Sequence, residues 1–166
     1  MNGQNTNRVL IGIDSGLTGA IAAIDEKLNI LGLEDTPIIK AGGKALYDVA
    51  VMAAALRRLC LIGVALVILE QQQAFSGQGV TSTFQTGYGF GLWSGILGAL
   101  EVPYRTVKPS VWTREILKGC PGDGKARSIG FVTRMFPVAE LVPPGCRKPR
   151  DGRADALCLA YWGVKS

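Results

Sequence analysis

Four acidic residues occupy positions where their side chains could share one site. Asp14 closes one short apolar segment and Glu70 closes another, as expected for the carboxyl ends of two strands. Asp151 and Asp155 are four positions apart, which places both carboxylates on one face of a helix. Because sites in α/β sheets form at the carboxyl ends of strands, we expect the four carboxylates to meet there.

Each acid taken singly has an ordinary interpretation as a turn residue, a surface charge or a helix cap. The set is harder to explain in this way. Glu70 ends an apolar strand and Asp155 is flanked by the apolar face of its helix, so both should lie near the core. Unpaired carboxylates are unfavourable there, and a divalent cation would compensate their charge.

The composition narrows the chemistry further. The sequence has no histidine, which excludes Ser-His-Asp and Cys-His mechanisms and histidine-ligated zinc. Its four cysteines form no CxxC pair, which argues against a zinc ribbon. Oxygen ligands alone select Mg²⁺, with Mn²⁺ able to substitute. Two such ions about 3.5–4 Å apart can activate water and stabilise the leaving oxygen of a phosphodiester.

Charge is distributed unevenly along the 166 residues. Residues 101–166 carry twelve Lys and Arg against six Asp and Glu, a net charge of +6, whereas residues 1–100 carry six against seven. The C-terminal third is therefore where a polyanion would bind. Together with the acids this distribution predicts a nuclease. The basic residues around the last acidic pair should contact phosphates rather than bases: Arg147, Lys148, Arg150 and Arg153.

Hydrophobic periodicity and turn signals predict the strands and helices that carry these residues. The predicted strands are at residues 9–14, 20–25, around 30–39, 64–69 and 102–107. The first three form an antiparallel meander, and the fourth is apolar throughout, as in a central parallel strand. Predicted helices span residues 45–61, 89–100, 110–117, from 123 or 124 to 136, and 150–162, with a long loop at 71–87.

This order of elements predicts a single three-layer α/β domain over residues 1–166, with a mixed five-stranded sheet flanked by helices. In the loop, Gln72 and its neighbouring glutamines could reach base edges. The helix at 89–100 has more apolar residues than one sheet face can cover, which predicts a homodimer contact through Phe90, Leu92, Trp93, Ile96 and Leu97.

Three motifs carry a resemblance to a known family. The segments 12–20, 67–71 and 151–157, which contain all four acids, resemble in order and spacing the acidic motifs of RuvC-like Holliday junction resolvases of the RNase H-like superfamily. Segment 87–95 and the Asp-Gly-Arg-Ala segment at 151–154 resemble the chloroplast and the phage or prophage members of this family. The last two acids are four positions apart here, whereas three is usual in the bacterial enzymes.

The resemblance implies a homodimeric, metal-dependent endonuclease that nicks two symmetry-related strands of a four-way junction. It implies that Asp14 bridges the metal ions, that Glu70 and Asp155 complete their shells, and that Asp151 binds directly or through water. The remaining residues it implies are Lys125 near the scissile phosphate, Arg127 in the same motif, Lys108 as a second basic candidate, and Phe75 stacking at the branch point. Solvated surface charges and an ordinary loop anchor are the alternatives.

Other functions remain open at this point. A related nuclease could act on flaps, forks or structured RNA, and the chain could be an inactive DNA-binding module. Segment 14–19 also resembles a phosphate-binding hairpin of actin-like and sugar-kinase folds, but those need two domains, so we expect no nucleotide cofactor. The N-terminus lacks signal-peptide features, and the longest apolar run, residues 59–69, is far short of the ~20 that a membrane span needs. We therefore expect a cytoplasmic protein of a bacterium, prophage or phage-infected cell, or an organellar one if a leader has been removed.

Overall fold

A computed structural model describes residues 8–73 and 77–166 of the chain. The described elements are, in order, β1 (Arg8–Asp14), β2 (Ala20–Asp25), β3 (Ile30–Asp35), β4 (Ile38–Ala41), β5 (Lys44–Tyr47), α1 (Val49–Cys60), β6 (Val64–Glu70), α2 (Val80–Ala99), β7 (Tyr104–Val107), α3 (Pro109–Ile116), α4 (Gly124–Met135) and α5 (Asp151–Lys165). No helix in these ranges is long and apolar enough to cross a membrane.

The main sheet has five strands in the order β3-β2-β1-β6-β7. The pairs β1–β2 and β2–β3 are antiparallel, and the pairs β1–β6 and β6–β7 are parallel. The predicted mixed five-stranded sheet is thereby confirmed. Ile13 lies opposite Leu69 in the parallel pair, so the next residues, Asp14 and Glu70, end neighbouring strands side by side.

The sheet is covered by helices on both faces, which gives the expected three layers. Alternate residues of each strand point to opposite faces. On one face, Leu10 and Ile68 pack with residues of α3, α4 and α5. On the other face, Ile11 and Val67 pack with residues of α1 and α2. Asp14 and Glu70 have the same strand parity as Leu10 and Ile68, so they face the α5 layer.

Two glycines allow α5 to lie directly on the end of β1. A Cβ atom at Gly12 would overlap the Ala156 carbonyl and the Ala160 amide of α5. A Cβ atom at Gly152 would overlap the backbone of Thr18 and Gly19 in the β1–β2 turn. The first turns of α5, which carry two of the acids, are therefore held against the carboxyl end of β1.

The segment before α1 differs from the sequence prediction. Residues 44–47 form β5, which pairs with β4 in a separate hairpin, whereas the prediction extended the helix back to residue 45. Gly42 and Gly43 have φ values of 57° and 76°, which make the tight turn of this hairpin. The Asp48 side chain accepts a hydrogen bond from Val51 N at 3.1 Å and so starts the helix at residue 49.

Helix α2 is longer than predicted and more of it is buried. It begins at residue 80, inside the segment predicted as a loop. The prediction missed these first turns because their small and polar residues show no clear apolar periodicity. Trp93 and Leu97 are fully buried and Ile96 is 8% exposed, all in the monomer's own core. These three side chains are therefore unavailable for the predicted dimer contact, and that part of the prediction is wrong.

Helix α3 also starts earlier than predicted. Pro109 is its first residue and Lys108 precedes it as the N-cap, whereas the prediction placed the cap at Ser110. Proline suits the first helical position because its missing N–H has no intrahelical partner there. Trp112 lies in the first turn of the helix by either start, and it is only 3% exposed.

Candidate active site

Asp14 lies at the carboxyl end of β1, where the chain turns sharply towards β2. Its Oδ1 accepts a hydrogen bond from Gly16 N at 3.1 Å. Burial raises the pKa of Asp14 to about 6, the Gly16 bond opposes that shift, and the charge of Asp151 adds to it. Asp14 is thus a carboxylate that its surroundings destabilise in the charged form.

Glu70 ends β6 beside Asp14 and is 9% exposed. Its Oε1 accepts a hydrogen bond from Trp112 Nε1 at 2.8 Å, and its Oε2 accepts one from Gln72 Nε2 at 3.0 Å. Burial and the charge of Asp14 raise the pKa of Glu70 to about 8 despite these two donors. Both carboxylate oxygens of Glu70 are therefore fixed in direction.

Helix α5 supplies the other two acids. Burial raises the pKa of Asp155 to about 7, while a hydrogen bond from the Ser128 hydroxyl lowers it and the charge of Asp14 raises it. Asp151 Oδ2 lies 2.6 Å from Lys125 Nζ of α4. The Lys125 side chain is 77% exposed, so this ion pair contributes little to stability. The ion pair does, however, hold the positively charged Lys125 ammonium group beside the acids.

The acids act on one another electrostatically, and Asp151 raises the pKa values of Asp14 and Asp155. The charge of Asp14 raises the pKa values of both Glu70 and Asp155. Within residues 8–73 and 77–166, no group of three or more His, Cys, Asp and Glu side chains is arranged to hold a metal ion directly. The donors Gly16, Trp112, Gln72 and Lys125 hold the carboxylates instead.

The chemistry of this donor set nevertheless fits a hard divalent cation. The acids offer only oxygen atoms, which are the ligands that Mg²⁺ and Mn²⁺ prefer. Asp14, Glu70 and Asp155 all have raised pKa values, and Lys125 is the basic group that acts on Asp14 and Asp155. A bound cation would compensate the remaining negative charge.

We expect Mg²⁺ to stabilise the protein more at pH 8 than at pH 5. The folded-state pKa values of Asp14, Glu70 and Asp155 are about 6, 8 and 7, above the ordinary values near 4. Their contribution to stability is present below pH 4 and is lost as the pH rises to 8, by up to about 1.4 kcal/mol per pH unit per group. Thermal unfolding with and without Mg²⁺ at both pH values measures the effect.

The control for this experiment is Glu70→Gln, which removes the acid with the highest pKa. In this variant the metal-free protein should lose less stability between pH 5 and pH 8, and Mg²⁺ should raise its Tm less. If Mg²⁺ raised the Tm of the wild-type protein equally at the two pH values, the assignment of these acids as metal ligands would be contradicted.

The basic residues expected to contact DNA are found in two environments. Arg147 and Lys148 are exposed in the loop before α5, and they line a pocket together with Lys125, Arg150 and Asp151. Asp151 is the one of the four acids that lines this pocket, so a phosphate backbone bound there would contact the basic residues beside it. Lys108 is also exposed, at the start of α3.

Three other candidates have protein partners. Arg127 Nη2 donates to the Leu117 carbonyl oxygen, and Arg150 Nη1 lies 3.5 Å from Asp35 Oδ2. The side-chain amide of Gln72 donates a hydrogen bond to Glu70 Oε2 at 3.0 Å. Phe75 lies outside the described residues.

Arg153 is the exception to the expected phosphate contacts. It is only 7% exposed, and its guanidinium donates to Asp35 Oδ1 and to the Glu140 carbonyl oxygen, both at 2.7 Å. Its position on α5 turns the side chain towards the end of β3 because the helix lies so close to the sheet. Arg153 therefore anchors α5, and with it the acids, in place of contacting DNA.

Substituting these arginines should separate folding from DNA binding. Arg153→Met should lower the free energy of unfolding by about 1–3 kcal/mol, because it removes a nearly buried guanidinium together with its ion pair to Asp35 and its hydrogen bond to the Glu140 carbonyl oxygen. Arg147→Met should change stability by less than about 0.5 kcal/mol but weaken binding to branched DNA and reduce its salt dependence. Urea unfolding measures the stability of both variants, and titration of branched DNA at several salt concentrations measures the affinity and its salt dependence. Unchanged stability of Arg153→Met would contradict the anchoring role.

Sequence reasoning missed two residues at this site, Trp112 and Ser128. Each acts on an acid that the sequence did identify, Trp112 on Glu70 and Ser128 on Asp155. Their partners are distant in sequence, 42 positions away in the case of Trp112. The one local signal is a tryptophan in a short helix that directly follows a strand next to β6.

The mixed sheet, the two helical layers and the acids at the carboxyl ends of the inner strands define an RNase H-like α/β fold. Among solved structures, it is similar to Thermus thermophilus RuvC in complex with a Holliday junction substrate, with a TM-score of 0.63 and 16% identity over 92% of this chain and 90% of that chain. A second T. thermophilus RuvC structure matches with a TM-score of 0.54 and 16% identity over the same shares.

The yeast mitochondrial Holliday junction resolvase Ydc2 matches with a TM-score of 0.53 and 13% identity over 94% of this chain and 77% of that chain. The fold that the motif resemblance implied is thus confirmed as that of RuvC-like resolvases. No protein-family profile and no curated protein sequence matches the chain.

Proposed function

We propose that this chain is a structure-selective DNA endonuclease that resolves four-way junctions by paired, symmetric nicks with Mg²⁺ or Mn²⁺. The proposal rests on one observation: acids that act on one another electrostatically lie at the carboxyl ends of neighbouring strands in a RuvC-like sheet. The exposed basic loop beside them supports a polyanionic substrate. In this proposal residues 1–166 form one nuclease domain.

The proposed roles are those that the motif resemblance implies. Asp14, whose charge acts on both Glu70 and Asp155, would be the ligand shared by two ions. Glu70 and Asp155 would complete the ligand sets, and Asp151 would bind directly or through water. When bound, the ions supply an activated water and stabilise the leaving oxygen of the phosphodiester. Lys125, held at Asp151 by its ion pair, would reach the scissile phosphate.

The proposed DNA surface consists of exposed basic residues around the site. Phosphate contacts from Lys108, Arg147 and Lys148 would give affinity without a sequence preference. Arg127 and Arg150 would have to release their protein partners to join them. Gln72 would have to leave Glu70 to read a base, and Phe75 would stack at the branch point.

A homodimer is proposed through the exposed face of α2. In the described chain, a Cβ atom at Gly87, Gly91, Gly95 or Gly98 would have no neighbouring atom within 4 Å. Glycine inside a helix costs about 0.5–1 kcal/mol relative to alanine, so four on one solvent face are unfavourable for a monomer. The same face would allow a second helix to approach closely, and the stacked rings of Phe84 and Tyr88 extend it.

Enlarging this face should dissociate the dimer. We expect Gly91→Leu and Gly95→Leu to sediment as monomers at micromolar concentration, whereas the wild-type protein sediments as a dimer. The matched control is Gly130→Leu in α4, where a Cβ atom also has no neighbour within 4 Å. A wild-type protein that stays monomeric with and without junction DNA would contradict the dimer.

The function is tested by a cleavage panel of four-way junction, fork, flap, linear duplex, and RNA–DNA hybrid, each with Mg²⁺, Mn²⁺ or EDTA. The proposal requires preferred cutting of the junction and loss of cutting in EDTA. Preference for the flap, the fork or the RNA hybrid would replace it with the related nuclease activity that the acids equally allow. Hydrolysis without a divalent ion would contradict the metal mechanism.

A further inference from the structure

The three tryptophans of the chain differ in what their indole N–H groups do. Trp112 Nε1 donates to Glu70 Oε1 at 2.8 Å, and Trp162 Nε1 donates to Glu115 Oε2 at 2.6 Å. Trp93 Nε1 is buried and has no hydrogen-bond partner in the described part of the chain. Only the Trp112 bond ends on one of the candidate metal ligands.

The Trp112 bond is held on both sides by backbone structure. Glu70 lies opposite Val107 in the β6–β7 ladder, and Gln71 N donates to the Val107 carbonyl oxygen at 2.8 Å. Helix α3 starts two residues after Val107, and the Trp112 ring packs in the core at 3% exposure. The indole is therefore fixed relative to the Glu70 carboxylate without any flexible segment between them.

We propose that Trp112 is a positioning residue of the metal site, which orients the Glu70 carboxylate for the ions. The inference rests on the proposed function, since it assigns a role at that same site. A carboxylate has about four lone-pair positions. The N–H groups of Trp112 and Gln72 each occupy one, on different oxygens, so the positions left on Glu70 have fixed directions.

An indole N–H suits this task better than a hydroxyl or an amide. It is a donor only, so it cannot turn over and present an acceptor to the carboxylate. It is also carried on a large buried ring whose rotation the core prevents. Partners that orient metal ligands in this way typically change metal affinity or activity by 10–100-fold when they are removed.

Trp112→Phe tests the proposal because it keeps a buried aromatic ring and removes the N–H. We expect the affinity for Mn²⁺, measured by titration calorimetry without DNA, to fall by about 10–100-fold. At limiting Mn²⁺ the kcat for junction cleavage should fall, the KM for the junction should stay within twofold, and excess Mn²⁺ should restore part of the rate. Trp162→Phe, which removes the other Trp–Glu bond, should keep its Mn²⁺ affinity within twofold of the wild-type value.

A double-mutant comparison separates positioning from packing. If Trp112 acts through Glu70, Trp112→Phe should have little further effect on Mn²⁺ affinity in the Glu70→Gln background. An equal loss in both backgrounds would overturn the proposal, as would a folded Trp112→Phe protein that binds Mn²⁺ within twofold of the wild type.

If Trp112→Phe fails to fold, the wild-type protein gives the answer. Its three indole N–H signals can be followed by ¹⁵N NMR during Mg²⁺ titration, with the Trp162 signal assigned by Trp162→Phe and the Trp93 signal by Trp93→Phe. The Trp112 signal should shift most, and an unchanged Trp112 signal at saturating Mg²⁺ would overturn the proposal. A wild-type protein that neither binds divalent ions nor cuts junctions would instead refute the proposed function.

Discussion

The Asp14→Asn protein is expected to lose junction cleavage by several orders of magnitude while still binding branched DNA. The amide is nearly isosteric with the carboxylate, so it can keep the hydrogen bond from Gly16. It cannot bridge two cations, because it lacks the charge and the second anionic oxygen. Single-turnover cleavage measures the loss, and a band-shift titration of a four-way junction measures the binding.

Two further results distinguish a lost metal site from a damaged fold. Asp14→Asn removes a carboxylate whose pKa is raised to about 6 by burial, so the metal-free variant should be at least as stable as the wild type at pH 8. Asp48→Asn is the matched control, because asparagine caps helix α1 as well as aspartate does. It should cut at the wild-type rate. Near wild-type cutting by Asp14→Asn would mean that the metal-site assignment is wrong.

Four-way junctions are expected to be cut far faster than linear duplex, by nicks placed symmetrically near the branch point. In the proposed function the acids would accept any phosphodiester, and the basic residues around them would contact phosphates that are common to all duplexes. Selection would then come from geometry, because the proposed dimer would hold two sites apart at a distance that matches two diverging strands. A linear duplex cannot engage both sites and loses the bivalent gain, which is commonly 10²–10⁴-fold.

Phe75→Ala should lower junction cleavage and leave the affinity for linear duplex almost unchanged. An aromatic ring at the branch point would fill the gap that unstacked base pairs leave, and a duplex has no such gap. Tyr104→Ala is the control, since Tyr104 is an exposed aromatic residue on the edge strand β7. Equal cutting of junction and duplex, or nicks at unrelated positions on opposing strands, would favour the flap or RNA nuclease interpretation.

Sequence patterns alone predict the order of the elements along the chain and the acids at the ends of two strands. The apolar runs that end in Asp14 and Glu70 are local signals, and a parallel strand after a crossover helix follows a general rule. Placing these two acids side by side needed only that rule and their positions in the sequence. The four-residue spacing of Asp151 and Asp155 likewise fixed their common helix face.

Long-range packing determines which side chains contact the acids and which of them stabilise the fold. Arg153 looked like a phosphate ligand in a basic stretch, but the close approach of α5 to the sheet turns it towards Asp35. Trp112 was not among the residues predicted for the site, but the β6–β7 ladder and the start of α3 set its N–H against Glu70. Both outcomes depend on contacts between residues far apart in sequence, 118 positions for the first and 42 for the second. Local periodicity cannot encode such contacts, because it fixes the face of an element and not what packs against that face.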